Sequence, residues 1–192
     1  GPPLASDPCK EADVFHPGTS RLIACWAGLA AGGVPARAQF DPLAVHDLLP
    51  QMFLLAREGD RLALRIAGEN LRDLFARPLK GSDIFQLFAP TAQPLARRTA
   101  LQAVRDGLPM VLVSTGRAKG GGQVPMEVVL APLRGADGTT DRLIGMIQPT
   151  ASLVLLDGEP VDEVTVRMAA TAGTGPQRPG LRLVAIDGQR LA

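Results

Sequence analysis

Arg65-Ile66-Ala67-Gly68-Glu69-Asn70-Leu71-Arg72-Asp73-Leu74-Phe75, followed by Leu79-Lys80-Gly81-Ser82-Asp83-Ile84, is the stretch on which the fold turns. Before Gly68, Leu62, Leu64 and Ile66 alternate with Arg61, Ala63 and Arg65, the period of a strand with one face inward. With Met52 to Arg57 and the Glu58-Gly59-Asp60 turn, this predicts an antiparallel hairpin. After Gly68 the pattern becomes helical. Three pieces are expected: Glu69 to Ala76, ended by Arg77-Pro78; Ser82 to Phe88, capped by Ser82; and Thr91 to Asp106, with Thr91 as cap and Gly107 as stop.

Three apolar runs of strand length follow, Leu108 to Thr115, Pro125 to Leu133 and Arg142 to Gln148. They are separated by the Gly116 to Gly122 loop and the Gly135-Ala136-Asp137-Gly138 turn, which predicts a meander. Upstream, Leu22, Trp26 and Leu29 recur with Ile23, Ala27 and Ala30 at helical spacing between a Thr19 or Ser20 cap and Gly32-Gly33. Asp41-Pro42 opens a short helix that Pro50 ends. Strands and helices that come in runs argue an α+β fold with an antiparallel sheet, not a doubly wound parallel one. Residues 1–15 are expected to be a flexible leader, 16–149 the folded domain, and 150–192 a partly flexible extension carrying at most an added hairpin or edge strand.

Composition narrows the function. A 46% hydrophobic, 20% charged chain of 192 residues buries an ordinary core, and one domain is expected. A net charge of +1 supplies no field for holding nucleic acid or an anionic membrane. The longest apolar run, Leu22 to Ala31, is half of what a spanning helix needs. With Cys9 and Cys25 as the only cysteines, a disulfide framework is not expected and a cytoplasmic location is. The excess of Arg over Lys, with one Asn and no Tyr, reads as the bias of a GC-rich bacterial genome.

The strand-to-helix junction quoted above resembles the heart of a PAS domain. It is most similar to a bacterial subgroup with a Trp-bearing helix, a Gly-Gly-x-x-Pro turn and an Asp-Pro segment ending Leu-Leu-Pro. Here these are Trp26, Gly32 to Arg37, and Asp41-Pro42 through Leu48-Leu49-Pro50, so the resemblance spans about residues 16 to 149. It implies a five-stranded antiparallel sheet, short helices on one face, an N-terminal amphipathic helix, and a small apolar cavity between sheet and helices. It also implies a non-catalytic sensory module that binds a partner protein or small apolar ligand, and passes its signal by dimerisation.

A pocket in such a domain would be lined by Leu64, Ile66, Leu71, Phe75, Ile84, Phe88, Val111, Met126 and Ile147, the same residues that would fill a solid core. Asn70 either caps its helix or offers an amide to a ligand. Leu22, Trp26 and Leu29 are the candidate partner interface, including a homodimer. No cofactor is expected. The long helix has no histidine for haem, and Asn70 is followed by Leu71-Arg72 where a flavin photosensor of this family would carry a reactive cysteine. His16 and His46 lack metal-ligand companions and read as surface or capping residues. The Gly116 to Gly122 loop lacks a phosphate-loop ending, although Arg117 and Lys119 could touch an anion, and Arg97, Arg98 and Arg105 read as a solvated helix side. The competing reading is a small α+β hydrolase or isomerase using Cys25, His46 or Asp73 in the cavity.

Overall fold

The computed structural model describes residues 14–172, together with the backbone of 181–186 and 189–190. The expectations placed on residues 1–13, Cys9 included, and on the linker at 173–180 lie outside the described residues. Among the described residues three helices, α1 (Pro17–Leu29), α2 (Glu69–Phe75) and α3 (Gln93–Asp106), accompany eight strands. The strands are β1 (Met52–Glu58), β2 (Arg61–Ala67), β3 (Met110–Arg117), β4 (Gln123–Arg134), β5 (Thr140–Pro149), β6 (Glu163–Ala172), β7 (Leu181–Ile186) and β8 (Gln189–Arg190). They form one antiparallel sheet in the order β2-β1-β5-β4-β3-β6-β7-β8.

The five expected strands are there, with the helices between β2 and β3, and the hairpin falls where its alternation placed it. The sheet does not stop at Pro149. β6 pairs with β3 from Met110 to Arg117, so the expected edge addition is a full ten-residue strand. Its alternation is broken because Arg167 has no partner in the ladder: Val113 faces Met168 and Ser114 faces Val166. One extra residue reverses the face of everything beyond it. Val164 thus packs on the helix-bearing face and Ala170 and Ala172 on the other.

Both faces of the sheet are covered. The α2–α3 face carries Phe53, Leu55, Leu64, Leu112, Met126 and Ile147 against Leu71, Phe75, Ile84 and Phe88 in one buried cluster. The opposite face carries Met52, Leu54, Val111, Val129, Leu133 and Met146 under α1, whose Leu22, Ile23 and Trp26 are essentially inaccessible. Phe15 joins this second cluster, so the packed chain begins inside the stretch expected as leader. A strand sheet buried on both faces reads as near-continuous apolar runs, as β4 does from Val124 to Leu133.

Helix caps differ from the expected ones. His16, not Thr19 or Ser20, caps α1: its Nδ1 accepts from Gly18 N at 3.0 Å, while its own N–H donates to the buried Glu127 carboxylate at 2.9 Å. A carboxylate there also suits the positive end of the helix. Asp83, not Ser82, caps the 3-10 turn Ile84–Leu87, and α3 starts at Gln93 without a side-chain cap. At Gly68 the backbone of Leu49 and Pro50 presses against the strand-to-helix junction, and a methyl there would stand 2.2 Å from the Pro50 carbonyl oxygen. Gly68→Ala is expected to cost about 1–3 kcal/mol by overpacking, read as a lower midpoint of urea unfolding with an unchanged slope.

Candidate functional site

The residues expected to line a pocket separate into three groups. Leu64, Phe75, Ile84, Phe88 and Met126 are buried in the cluster under α2 and α3, each no more than 5% exposed. Val111 is buried on the opposite face, because β3 alternates Met110 and Leu112 toward the helices and Val111 toward α1. Ile66 is 53% exposed and also on that opposite face. Its displacement has the same cause as in β6: Arg65 has no ladder partner, Leu55 faces Leu64 and Leu54 faces Ile66, so strict alternation fails two residues early.

That bulge opens a cleft of about 510 Å³ on the α1 face. Its floor is Met52, Leu54, Leu133 and Ile144, and its walls are Phe40, Pro42, Leu49, Pro50 and Ile66. Arg37, His46, Glu69 and Arg72 stand around it. The volume is that of a small-molecule site. Its rim is apolar, with Leu49 and Ile66 both exposed on it. The Asp41-Pro42 cap, whose carboxylate accepts from Leu43 N at 2.9 Å and opens a 3-10 turn that stops at Val45, and a second 3-10 turn, Leu49–Gln51, inside which Pro50 sits where it was expected to end a helix, shape this wall.

The wall is tied to α1. Arg21 grips Asp47 through two hydrogen bonds, one of them 2.9 Å from Nη2 to Oδ1. This holds the Asp47 carboxyl below, and the Arg21 guanidinium above, its ordinary value. Because the folded-state value of Asp47 is lowered, the contribution of the pair is complete above the usual carboxylate range and is lost as pH falls through the lowered value. On the underside of α1, the indole Nε1 of Trp26 donates to the Pro132 carbonyl at 2.7 Å, and β4 carries on from there to Leu133 in the cleft floor. Leu22 and Trp26, expected at a partner interface, are therefore occupied by the chain's own sheet, and Leu29 is half-buried.

A second cleft, of about 450 Å³, lies between α2 and the segment after β5. Here three expected pocket residues, Asn70, Leu71 and Ile147, do meet. Asn70 is not the cap: Gly68 occupies that position, and Asn70 is exposed on the first turn of α2. The other walls, Gln51, Leu153, Leu156, Glu159 and Pro160, come from segments in which residue spacing signals no site.

The remaining candidates are scattered. Cys25 is half-buried on α1, where burial pushes its thiol up and away from the reactive thiolate. It lines neither cleft, whereas His46 lines the first and Asp73 the second. Among the described residues no group of three or more His, Cys, Asp or Glu could hold a metal. The glycine loop is anchored: Gly120 N donates to Glu159 at 2.9 Å and Lys119 sits 3.8 Å from Asp162. Arg97 is more than a solvated residue, lying over the Phe85 ring at 4.4 Å and 3.9 Å from Asp83.

A hairpin, a helical crossover and a meander, closed into a sheet of order β2-β1-β5-β4-β3 with α2 and α3 on one face, define a PAS-like α+β fold. The PAS domain family model matches residues 14–148, and the chain belongs to that family. Among solved structures it is similar to the dark-state light-oxygen-voltage domain of the blue-light photoreceptor Aureochrome1, at 13% identity over 58% of this chain and 83% of that one, with a TM-score of 0.46. It is also similar to a light-oxygen-voltage domain studied with a flavin analogue (15%, 62% and 91%, 0.48) and to an RNA-binding light-oxygen-voltage receptor (17%, 64% and 36%, 0.46). No curated protein matches the chain. Among the described residues no helix is long and apolar enough to cross a membrane.

Proposed function

We propose that this PAS domain is a cytoplasmic, non-catalytic sensor that takes a small apolar ligand in the cleft at Ile66 and relays its occupancy through α1 to a partner protein. The observation that carries this reading is the cleft itself, an apolar hollow of about 510 Å³ on a face where α1 otherwise leaves little exposed. The more usual place for a ligand, between sheet and helices, is filled here by Phe75, Ile84, Phe88 and Met126.

The route to α1 is short. A ligand wedged against Leu49 and His46 pushes on the turn that holds Asp47, and Arg21 of α1 is bound to that carboxylate. The outer side of α1, with Arg21, Ala24 and Gly28 exposed, is the surface left for a partner. Of the residues on which the competing enzyme reading drew, Cys25 lines neither cleft, and His46 and Asp73 line different ones, so none has a second of these residues beside it in its cleft.

Decanoate and 1-decanol serve as probes, and methyl resonances of Ile66 and Ile144 report occupancy of the cleft. Both resonances are expected to shift saturably, and Ile66→Arg, at an exposed position, to weaken binding at least tenfold while leaving the unfolding midpoint within a few degrees. Saturable shifts confined to Phe75, Ile84 and Phe88 would instead place the ligand under the helices and refute the cleft.

A further inference from the structure

Around the apolar floor and rim of the Ile66 cleft stand four polar side chains, Arg37, His46, Glu69 and Arg72, all exposed. Elsewhere the domain commits its guanidiniums to its own chain: Arg21 is bound to Asp47, Arg61 donates to the Gly81 carbonyl at 3.0 Å and Arg134 to the Val34 carbonyl at 2.7 Å. The guanidiniums of Arg37 and Arg72 have no hydrogen bond or ion pair among the described residues, not even with Glu69, one turn before Arg72 on α2. Two uncommitted cations against one carboxylate leave an excess of positive charge beside an apolar hollow of about 510 Å³.

Met52, Leu54, Leu133 and Ile144 take any hydrocarbon chain alike, so only these charged neighbours can tell one amphiphile from another. We infer that the ligand of this cleft is an aliphatic carboxylate, with its chain on the floor and its head at the guanidiniums of Arg37 and Arg72; this rests on the reading of the cleft as the ligand site. A guanidinium offers a planar fork of N–H donors that matches the two oxygens of a carboxylate, and it is more weakly hydrated than an ammonium, which suits a pair formed against apolar walls. An alcohol of the same length fills the floor equally and forgoes the pair. An ammonium meets two like charges.

The test follows the methyl resonances of Ile66 and Ile144 during titration with decanoate, 1-decanol and decylamine, at one pH and below the concentrations at which they form micelles. Decanoate is expected to bind at least tenfold more tightly than 1-decanol, and decylamine more weakly than either. Added salt is expected to weaken decanoate severalfold and change 1-decanol little, because exposed charge pairs are screened. Arg37→Gln combined with Arg72→Gln is expected to bring decanoate down to the affinity of 1-decanol, and Arg37→Glu with Arg72→Glu to reverse the order, so that decylamine binds more tightly than decanoate. Both positions are exposed, and the unfolding midpoint is expected to stay within a few degrees. Equal affinities of decanoate and 1-decanol in wild type, indifference of decanoate to salt, or a preference for decanoate that survives the pair of Arg→Glu substitutions would each overturn the inference and leave the cleft a site for uncharged apolar ligands. No saturable shift of Ile66 and Ile144 with any of the three would overturn the cleft itself, and the inference with it.

Discussion

Trp26→Ala is expected to destabilise the domain by about 3–5 kcal/mol, the range for truncating a buried aromatic side chain. The indole is 1% exposed between α1 and the sheet, packed in the same cluster as Val129, Leu133 and Met146. Deletion leaves a cavity that the sheet cannot close, since its strands are fixed by their ladders. It also orphans the Pro132 carbonyl that Nε1 satisfies. Trp26→Phe separates the two contributions, retaining most of the packing while losing the hydrogen bond, and is expected to cost about 1–3 kcal/mol. Chemical denaturation of the three proteins measures both. Wild-type stability in Trp26→Ala, accompanied by loss of a dimer, would mean that the indole serves an interface between chains instead.

Ending the chain after Pro149 is expected to have an effect of similar or larger size. The cut removes β6, exposing the whole edge of β3, and with it Leu156, Val161 and Val164 from the helix-side core and Ala170 and Ala172 from the other. Each of the three larger side chains is worth about 1.5–3 kcal/mol on burial, so the loss is comparable with the ~5–15 kcal/mol by which domains are stable. A long unpaired apolar edge also recruits other chains. The fragment is expected to unfold at a markedly lower temperature and to aggregate; calorimetry and light scattering read the two effects. A fragment as stable and monodisperse as the full chain would show that β6 is an ornament to the sheet.

The contrast between β2 and β6 shows what the residues alone could convey. The hairpin, the meander and the helical crossover announce themselves because Leu62 and Leu64 alternate cleanly, and because Gly59, Pro78 and Gly107 mark the turns. The family resemblance, carried by Arg65 to Phe75, Leu79 to Ile84 and the Trp26, Gly-Gly-x-x-Pro and Asp-Pro segments before β1, matches the observed PAS architecture. Which face a residue takes was legible only up to a bulge. Arg65 and Arg167 each drop out of the ladder, so Ile66 turns from the expected core to the open cleft, and β6 loses the period that would have marked it as a strand.

The clefts were harder to see for a related reason. Their walls come from turns such as Pro42 to Pro50 and Leu153 to Pro160, whose positions depend on Asp47 meeting Arg21 and on Glu159 meeting Gly120. Those pairs lie 26 and 39 residues apart in the chain, beyond the reach of any periodicity. Trp26 stood out as a lone tryptophan on an amphipathic stripe. Its burial against Val129, Leu133 and Met146 and its bond to the Pro132 carbonyl, 106 residues away, show that the stripe faces the chain's own sheet.

The proposed relay requires that occupancy of the Ile66 cleft be felt at α1. Amide hydrogen exchange of wild type and Asp47→Asn, each with and without saturating decanoate, addresses this directly. Occupancy is expected to change the exchange of α1 amides from Arg21 to Trp26 in wild type, and Asp47→Asn to abolish that change while decanoate still binds. An α1 that exchanges identically with and without decanoate, or a change confined to α2 and α3, would contradict the account.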